Sequence, residues 1–250
     1  MTERTAMMSQ VASALESPGF WRRIKLHPLS GLITAGLEDD FHRFRIRLTH
    51  AKGRIVSLDA RADRIPYTTC PDAGPFLAEQ ALGERLQVVA GFDPHNHCTH
   101  LFELLVLCAA HALDAMPTQF DLRVADRRDN RTSATLSENG NVVLRWQMNG
   151  TLIEAPEDWA GRDLRQLATW KTSLSASLAE RAMLLRRAVH VSNGRKLTNQ
   201  AVKRPVDRGP ARLGACFTYQ MPRVLNAFQS SSVARDFSRS GTEPLQDFDP

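Results

Sequence analysis

The stretch "DPHNHCTHLFELL", residues 93–105, places His95, His97, Cys98 and His100 within six positions. Imidazole nitrogens bind zinc or iron and carry protons near neutral pH, and a thiolate is both a soft metal ligand and a nucleophile. The spacing matches no zinc-finger pattern, so alone it is evenly balanced between a site and polar loop residues ahead of a buried helix. Cys98 stands where loop becomes helix, and free N–H groups and the helix dipole there are expected to lower a thiol pKa. Cys70 also opens a helix, after "IPYTT", and the two cysteines meet if those helices pack side by side. A further group lies in "EDDFH", where Asp39, Asp40 and His42 gather at the entry to a strand. An inward histidine beside two carboxylates suits a metal site or an acid/base pair. Proton movement is assigned to Asp39, His42 and His100.

These residues need elements to hold them. In "FHRFRIRLTH", His42, Phe44, Ile46 and Leu48 alternate with Arg43, Arg45, Arg47 and Thr49, the period of two of a half-buried strand. "AKG" turns this into "RIVSLDARA", so 41–62 is expected to be an antiparallel hairpin. A helix follows Cys70, and a second, apolar almost all round, runs from Thr99 to Leu113 with His100, Glu103 and His111 on one stripe. "LQVVAG" reads as a short strand or a turn. "FDLRVADR", "TSATLSE" and "NVVLRWQMN", separated by Asn139-Gly140 and followed by Asn149-Gly150, read as a β-meander because Asn-Gly favours hairpin turns. Residues 161–192 read as helical and 195–214 as a loop. The expected class is α+β, with a unit over 36–115 carrying the site and a meander plus helices over 118–238 packed into the same domain. Residues 1–35 form a lead-in and 239–250 a mobile tail.

Composition sets limits. With 42% hydrophobic and 24% charged residues, 250 residues can build a real core. Four scattered cysteines make no disulfide framework, and no uninterrupted apolar run opens the chain, so a reduced, cytoplasmic setting is expected. The most apolar segment is too short for a bilayer. A net charge of +5 is mild. The basic stretch Arg186–Arg212 has no interleaved aromatic residue, which favours a solvated loop over nucleic-acid binding.

"EDDFHRFRIRLTH", "RIPYTTCPDA", "CTHLFEL", "CFTYQMPR" and "ARDFS", in that order, resemble a bacterial family numbered 2889 among the domains of unknown function, over roughly Asp39 to Ser238. A more distant likeness covers about 36–113. The order of strand, hairpin, cysteine-led helix and His-Cys opening an apolar helix is similar to the U-type iron–sulfur scaffold proteins. That likeness implies a zinc or iron coordination set of Asp40, Cys70, His97 and Cys98. Glu38 stands where the scaffold pattern has its first cysteine, and His95 and Asn96 where it has a lysine, which argues against cluster assembly. The function expected is a small-molecule enzyme of the lyase or hydrolase class, acting on an apolar or aromatic substrate. Its chemistry is either assisted by zinc or iron or is cofactor-free acid/base work. The alternative is a non-enzymatic metal-binding or scaffold-like protein. Whether Cys216 and Gln220 reach the site, and the oligomeric state, are left open.

Overall fold

The structure is a computed structural model, and it describes residues 18–197, 204–230 and 234–250. It is α+β, with antiparallel strand pairing, and divides into two compact units. The first contains 23–119, 199–235 and 245–250, and the second 1–22, 120–198 and 236–244. Among the described residues no helix is long and apolar enough to cross a membrane.

In the first unit the strands lie in the order β4-β3-β2-β1. They are β1 (Gly19–Leu29, most of it in this unit), β2 (Leu32–Asp39), β3 (Arg43–Ala51) and β4 (Arg54–Arg64). Strand β3 alternates as its sequence dictates: Phe44, Ile46 and Leu48 are buried while Arg45 and Arg47 are exposed. Each of those buried side chains contributes roughly 1.5–3 kcal/mol relative to exposure. The β3–β4 turn falls on Lys52 and Gly53, both with positive φ, as a tight hairpin requires. Strand β4 is charged along its length and buries only Ile55 and Arg64, which suits its place at the end of the strand order.

Two helices complete the frame around the site. A 3₁₀ turn at Cys70–Asp72 leads into α1 (Ala73–Ala81), and Cys98 caps α2 (Thr99–His111). Helix α1 lies so close to β4 that a Cβ added at Gly74 would sit 1.9 Å from the Ala60 carbonyl oxygen. Helix α2 buries Leu101, Leu104, Leu105 and Cys108, as expected of a core helix. "LQVVAG" is neither strand nor simple turn but a 3₁₀ helix.

The lead-in reading of residues 1–35 is corrected by β1 and β2; residues 1–17 lie outside the described residues. Positions 33–39 of β2 are all buried, so both faces are covered and the alternation that marks a half-buried strand is absent. The mobile-tail reading is corrected as well. Leu245 is fully buried and its N–H donates to Glu38 Oε2 at 2.7 Å. Lys25 Nζ donates to the Leu245 carbonyl, and Arg43 pairs with Asp247. A Cβ at Gly36 would lie 2.8 Å from the Phe248 ring, so that glycine admits the strap formed by 245–250.

The second unit contains the meander: β5 (Thr118–Ala125), β6 (Arg131–Glu138), β7 (Asn141–Asn149) and β8 (Leu152–Ala155), in that order. Its core includes Phe120, Leu136, Trp146 and Leu185. The region 161–192, expected to be helical throughout, is broken into short turns before α3 (Ala176–Ser192). Ser175 caps that helix by accepting from the Leu178 N–H. Within the basic stretch, Arg186 donates to the Leu164 carbonyl and Arg195 pairs with Asp126 and Asp236. Residues 198–203 of the loop expected over 195–214 lie outside the described residues.

Candidate functional site

The reversal between β2 and β3 builds the first part of the site. Asp39 N–H donates to the His42 carbonyl, which leaves Asp40 and Phe41 at the turn. The Asp39 carboxylate then organises that turn from inside. Its Oδ1 accepts from the backbone N–H groups of Phe41 and His42, each at 2.9 Å. The same oxygen lies 2.9 Å from His42 Nδ1. A carboxylate can only accept, so Nδ1 carries the proton of this bond. Asp39 is 0% exposed and His42 9%.

The third residue comes from the first turn of α2. His100, 7% exposed, lies with its ring centroid 3.9 Å from that of His42 and stacks on Phe44 at 5.2 Å. One ligand atom from each of Asp39, His42 and His100 falls within 4.8 Å of the other two. This is the only such grouping of three or more His, Cys, Asp or Glu among the described residues. Two imidazoles and a carboxylate are a donor set that zinc and non-haem iron both accept, with positions left over for water or substrate.

A buried ion-pair network holds the turn in place. Arg64, at the end of β4, donates to the carbonyls of Asp39, Asp40 and His42 and to Glu38 Oε1 at 3.1 Å. Burial lowers the pKa of this guanidinium more than its Glu38 partner raises it. Glu38 also receives Arg43 at 3.5 Å, Arg235 at 3.3 Å and the Leu245 N–H. Sequence reasoning missed Glu38 and Arg64 as supports. The available signal was an acid and a base flanking the hairpin at positions that face inward.

The three residues expected to move protons are thus the ones brought within ligand distance of one another. Asp40, Cys70, His97 and Cys98, the set implied by the scaffold likeness, do not belong to that grouping. Asp40 is buried, and its carbonyl accepts from Arg64 and from the Arg235 N–H. His97 is buried against Phe102, with Phe76 and Phe92 nearby, and burial lowers its pKa. The expected low thiol pKa at Cys98 is corrected. Burial pushes that thiol up to about 12, with Cys70 and Cys216 adding to the rise and the N–H groups of Leu101 and His100 opposing it. The helix terminus acts in the expected direction, and desolvation outweighs it. Burial likewise pushes the Cys70 thiol up to about 11. His95 is exposed, and its carbonyl accepts from Gln220 Nε2. Cys216 caps the 3₁₀ turn at Phe217–Tyr219, whose Thr218 hydroxyl lies 3.5 Å from Cys70 Sγ.

No protein-family model matches the chain, and no curated protein is similar to it.

Proposed function

We propose that this chain is a small-molecule enzyme in which Asp39, His42 and His100 hold a divalent zinc or iron ion. The observation that carries this reading is their grouping within 4.8 Å inside a buried site. The Asp39–His42 contact supports it, because an ion that displaces the proton between them meets a carboxylate oxygen and an imidazole nitrogen 2.9 Å apart. A bound ion would supply Lewis-acid polarisation or an activated water, suited to hydrolase or lyase chemistry. The chain's own residues position the three donors, exclude bulk water and line the site with the Phe41 and Phe44 rings. That lining favours an apolar or aromatic substrate.

The burial of all three donors favours a second reading, a non-enzymatic metal-binding protein whose ion is closed off from substrate. Elemental analysis of protein purified without a metal-affinity tag tests the common part of both. Zinc or iron is expected in wild type and lost from this site in Asp39→Asn and His100→Ala while the circular dichroism spectrum persists. Folded wild type that neither carries nor takes up either metal would sink both readings. Metal-dependent turnover of a small aromatic ester or hydroxy compound separates the enzyme from the carrier.

A further inference from the structure

Arg43, Arg45 and Arg47 stand at every second residue of β3, on the face turned away from Phe44 and the His100 ring stacked on it. Two of the three are matched by carboxylates. Arg43 pairs with Asp247 at 2.9 Å and with Glu38 at 3.5 Å, and Arg45 pairs with Asp63 at 2.7 Å. Arg47 is exposed and has no hydrogen-bond or ion-pair partner for its guanidinium among the described residues. Asp59 stands across from it on β4, but both oxygens of that carboxylate accept from Arg61 Nε, at 3.2 and 2.9 Å.

On the other side of Arg47, in register on β2, is Thr34. Residues paired directly across an antiparallel ladder share a face, so Thr34 lies on the same side as Arg47. It is 7% exposed, and its hydroxyl is buried with no hydrogen-bond partner among the described residues. One strand further, the two-residue turn at Ser30 and Gly31 sets His27 of β1 across from Thr34, and Lys25 across from Gly36. The strap agrees with that register, because Phe248 reaches both members of the second pair. Its ring centroid is 6.0 Å from Lys25 Nζ, and its edge is 2.8 Å from a Cβ added at Gly36. His27 Nδ1, like the Thr34 hydroxyl, is buried without a partner among the described residues. Buried polar atoms are almost always hydrogen-bonded in folded proteins. Here two of them sit in one row of the sheet with an unmatched guanidinium.

We infer that Arg47, Thr34 and His27 form a binding site for a phosphate-class oxyanion, either the free ion or the phosphoryl group of a small molecule. Arg47 supplies a permanent charge and a planar fork of donors, Thr34 an O–H and His27 a ring N–H. Coming from three strands, these donors approach from different sides, which suits a tetrahedral anion better than a planar carboxylate. Lys25 adds positive charge one step along β1, beside Phe248. Both buried atoms are closed to water as the side chains stand, and Arg47, long and untied, swings to admit the anion. The sheet separates this site from the His100 ring that stacks on Phe44, so the anion does not depend on a metal held there.

Calorimetric titration of full-length protein with inorganic phosphate, at constant ionic strength, tests this. Saturable binding at one site is expected in wild type, with acetate about tenfold weaker or more. Arg47→Met should weaken phosphate by about tenfold or more, and Thr34→Val by a smaller factor. Arg54→Met removes another exposed charge of β4 and Asp39→Asn alters the other site; neither should change phosphate affinity. Should Thr34→Val fail to fold, Arg47→Met, at an exposed position, decides alone. Wild type without saturable binding, acetate as tight as phosphate, or affinity that survives Arg47→Met would each overturn the site. Loss of binding in Asp39→Asn would put the anion on the other face and overturn it too. With the site upheld, phenyl phosphate binding more tightly than the free ion assigns an organic phosphate as ligand, and equal affinity assigns the ion itself.

Discussion

At the scale of single residues, Asp39 Oδ1 serves two backbone N–H groups and one imidazole at once. Removing the carboxylate strands buried donors, so Asp39→Ala should cost about 2–4 kcal/mol by chemical denaturation. Asp39→Asn keeps the shape and should cost less, while losing metal. The thiols titrate in a direction that stability should follow. Cys70 rises from an ordinary 9.0 to about 11 because burial favours the neutral form. Its contribution to folding is therefore fully present below pH 9 and is lost as pH rises through about 11. Cys70→Ala should flatten that part of an alkaline stability profile. At pH 8 iodoacetamide should label Cys70 in folded protein more slowly than a thiol of an unfolded control. The residues of this chemistry were legible in the sequence as types: Asp39, His42, His97, Cys98 and His100 all drew attention. Their partnerships were not. Cys98 and His100 are two positions apart, yet one has its thiol pKa raised by burial with Cys70 and Cys216 adding to it, and the other lies with its ring centroid 3.9 Å from that of His42.

Elements were read with uneven success, for physical reasons. The β3–β4 hairpin and α2 were legible because one has a polar face every second residue and the other is apolar nearly throughout. Strand β2 was not, since a strand covered on both faces loses its alternation and this one is made partly of Thr34, Ala35 and Gly36. The turn residues Ser30 and Gly31 between β1 and β2 were the overlooked signal. The approach of α1 to β4 is set by Gly74. Its obstacle is backbone, the Ala60 carbonyl at 1.9 Å from an added Cβ, and a carbonyl cannot rotate away as a side chain can. Gly74→Ala should therefore destabilise by about 1–3 kcal/mol or more. It should also displace the Cys70 turn, which a change in Cys70 labelling rate would report. Gly83→Ala, at the far end of the helix where an added Cβ meets nothing, serves as a comparison limited to backbone strain.

At the scale of the whole molecule, the decisive interactions are long in sequence. Glu38 is 1% exposed and gathers Arg64, Arg43, Arg235 and the Leu245 N–H. Glu38→Ala leaves the buried Arg64 charge without its carboxylate and should cost about 3–5 kcal/mol in a denaturant titration. No local pattern reveals such a contact, because Glu38 and Leu245 are separated by 207 positions. The first unit is accordingly interrupted: 23–119 is completed by 199–235 and 245–250 only after the intervening chain has been laid down. That arrangement has a kinetic consequence. Closing so long a loop costs entropy before any native contact repays it, although each doubling of loop length adds only about 0.6 kcal/mol. The strap should dock late, so stopped-flow refolding is expected to show α2 helicity forming ahead of protection of the Leu245 amide from hydrogen exchange. An amide protected as early as the helix would mean that the strap belongs to the nucleus.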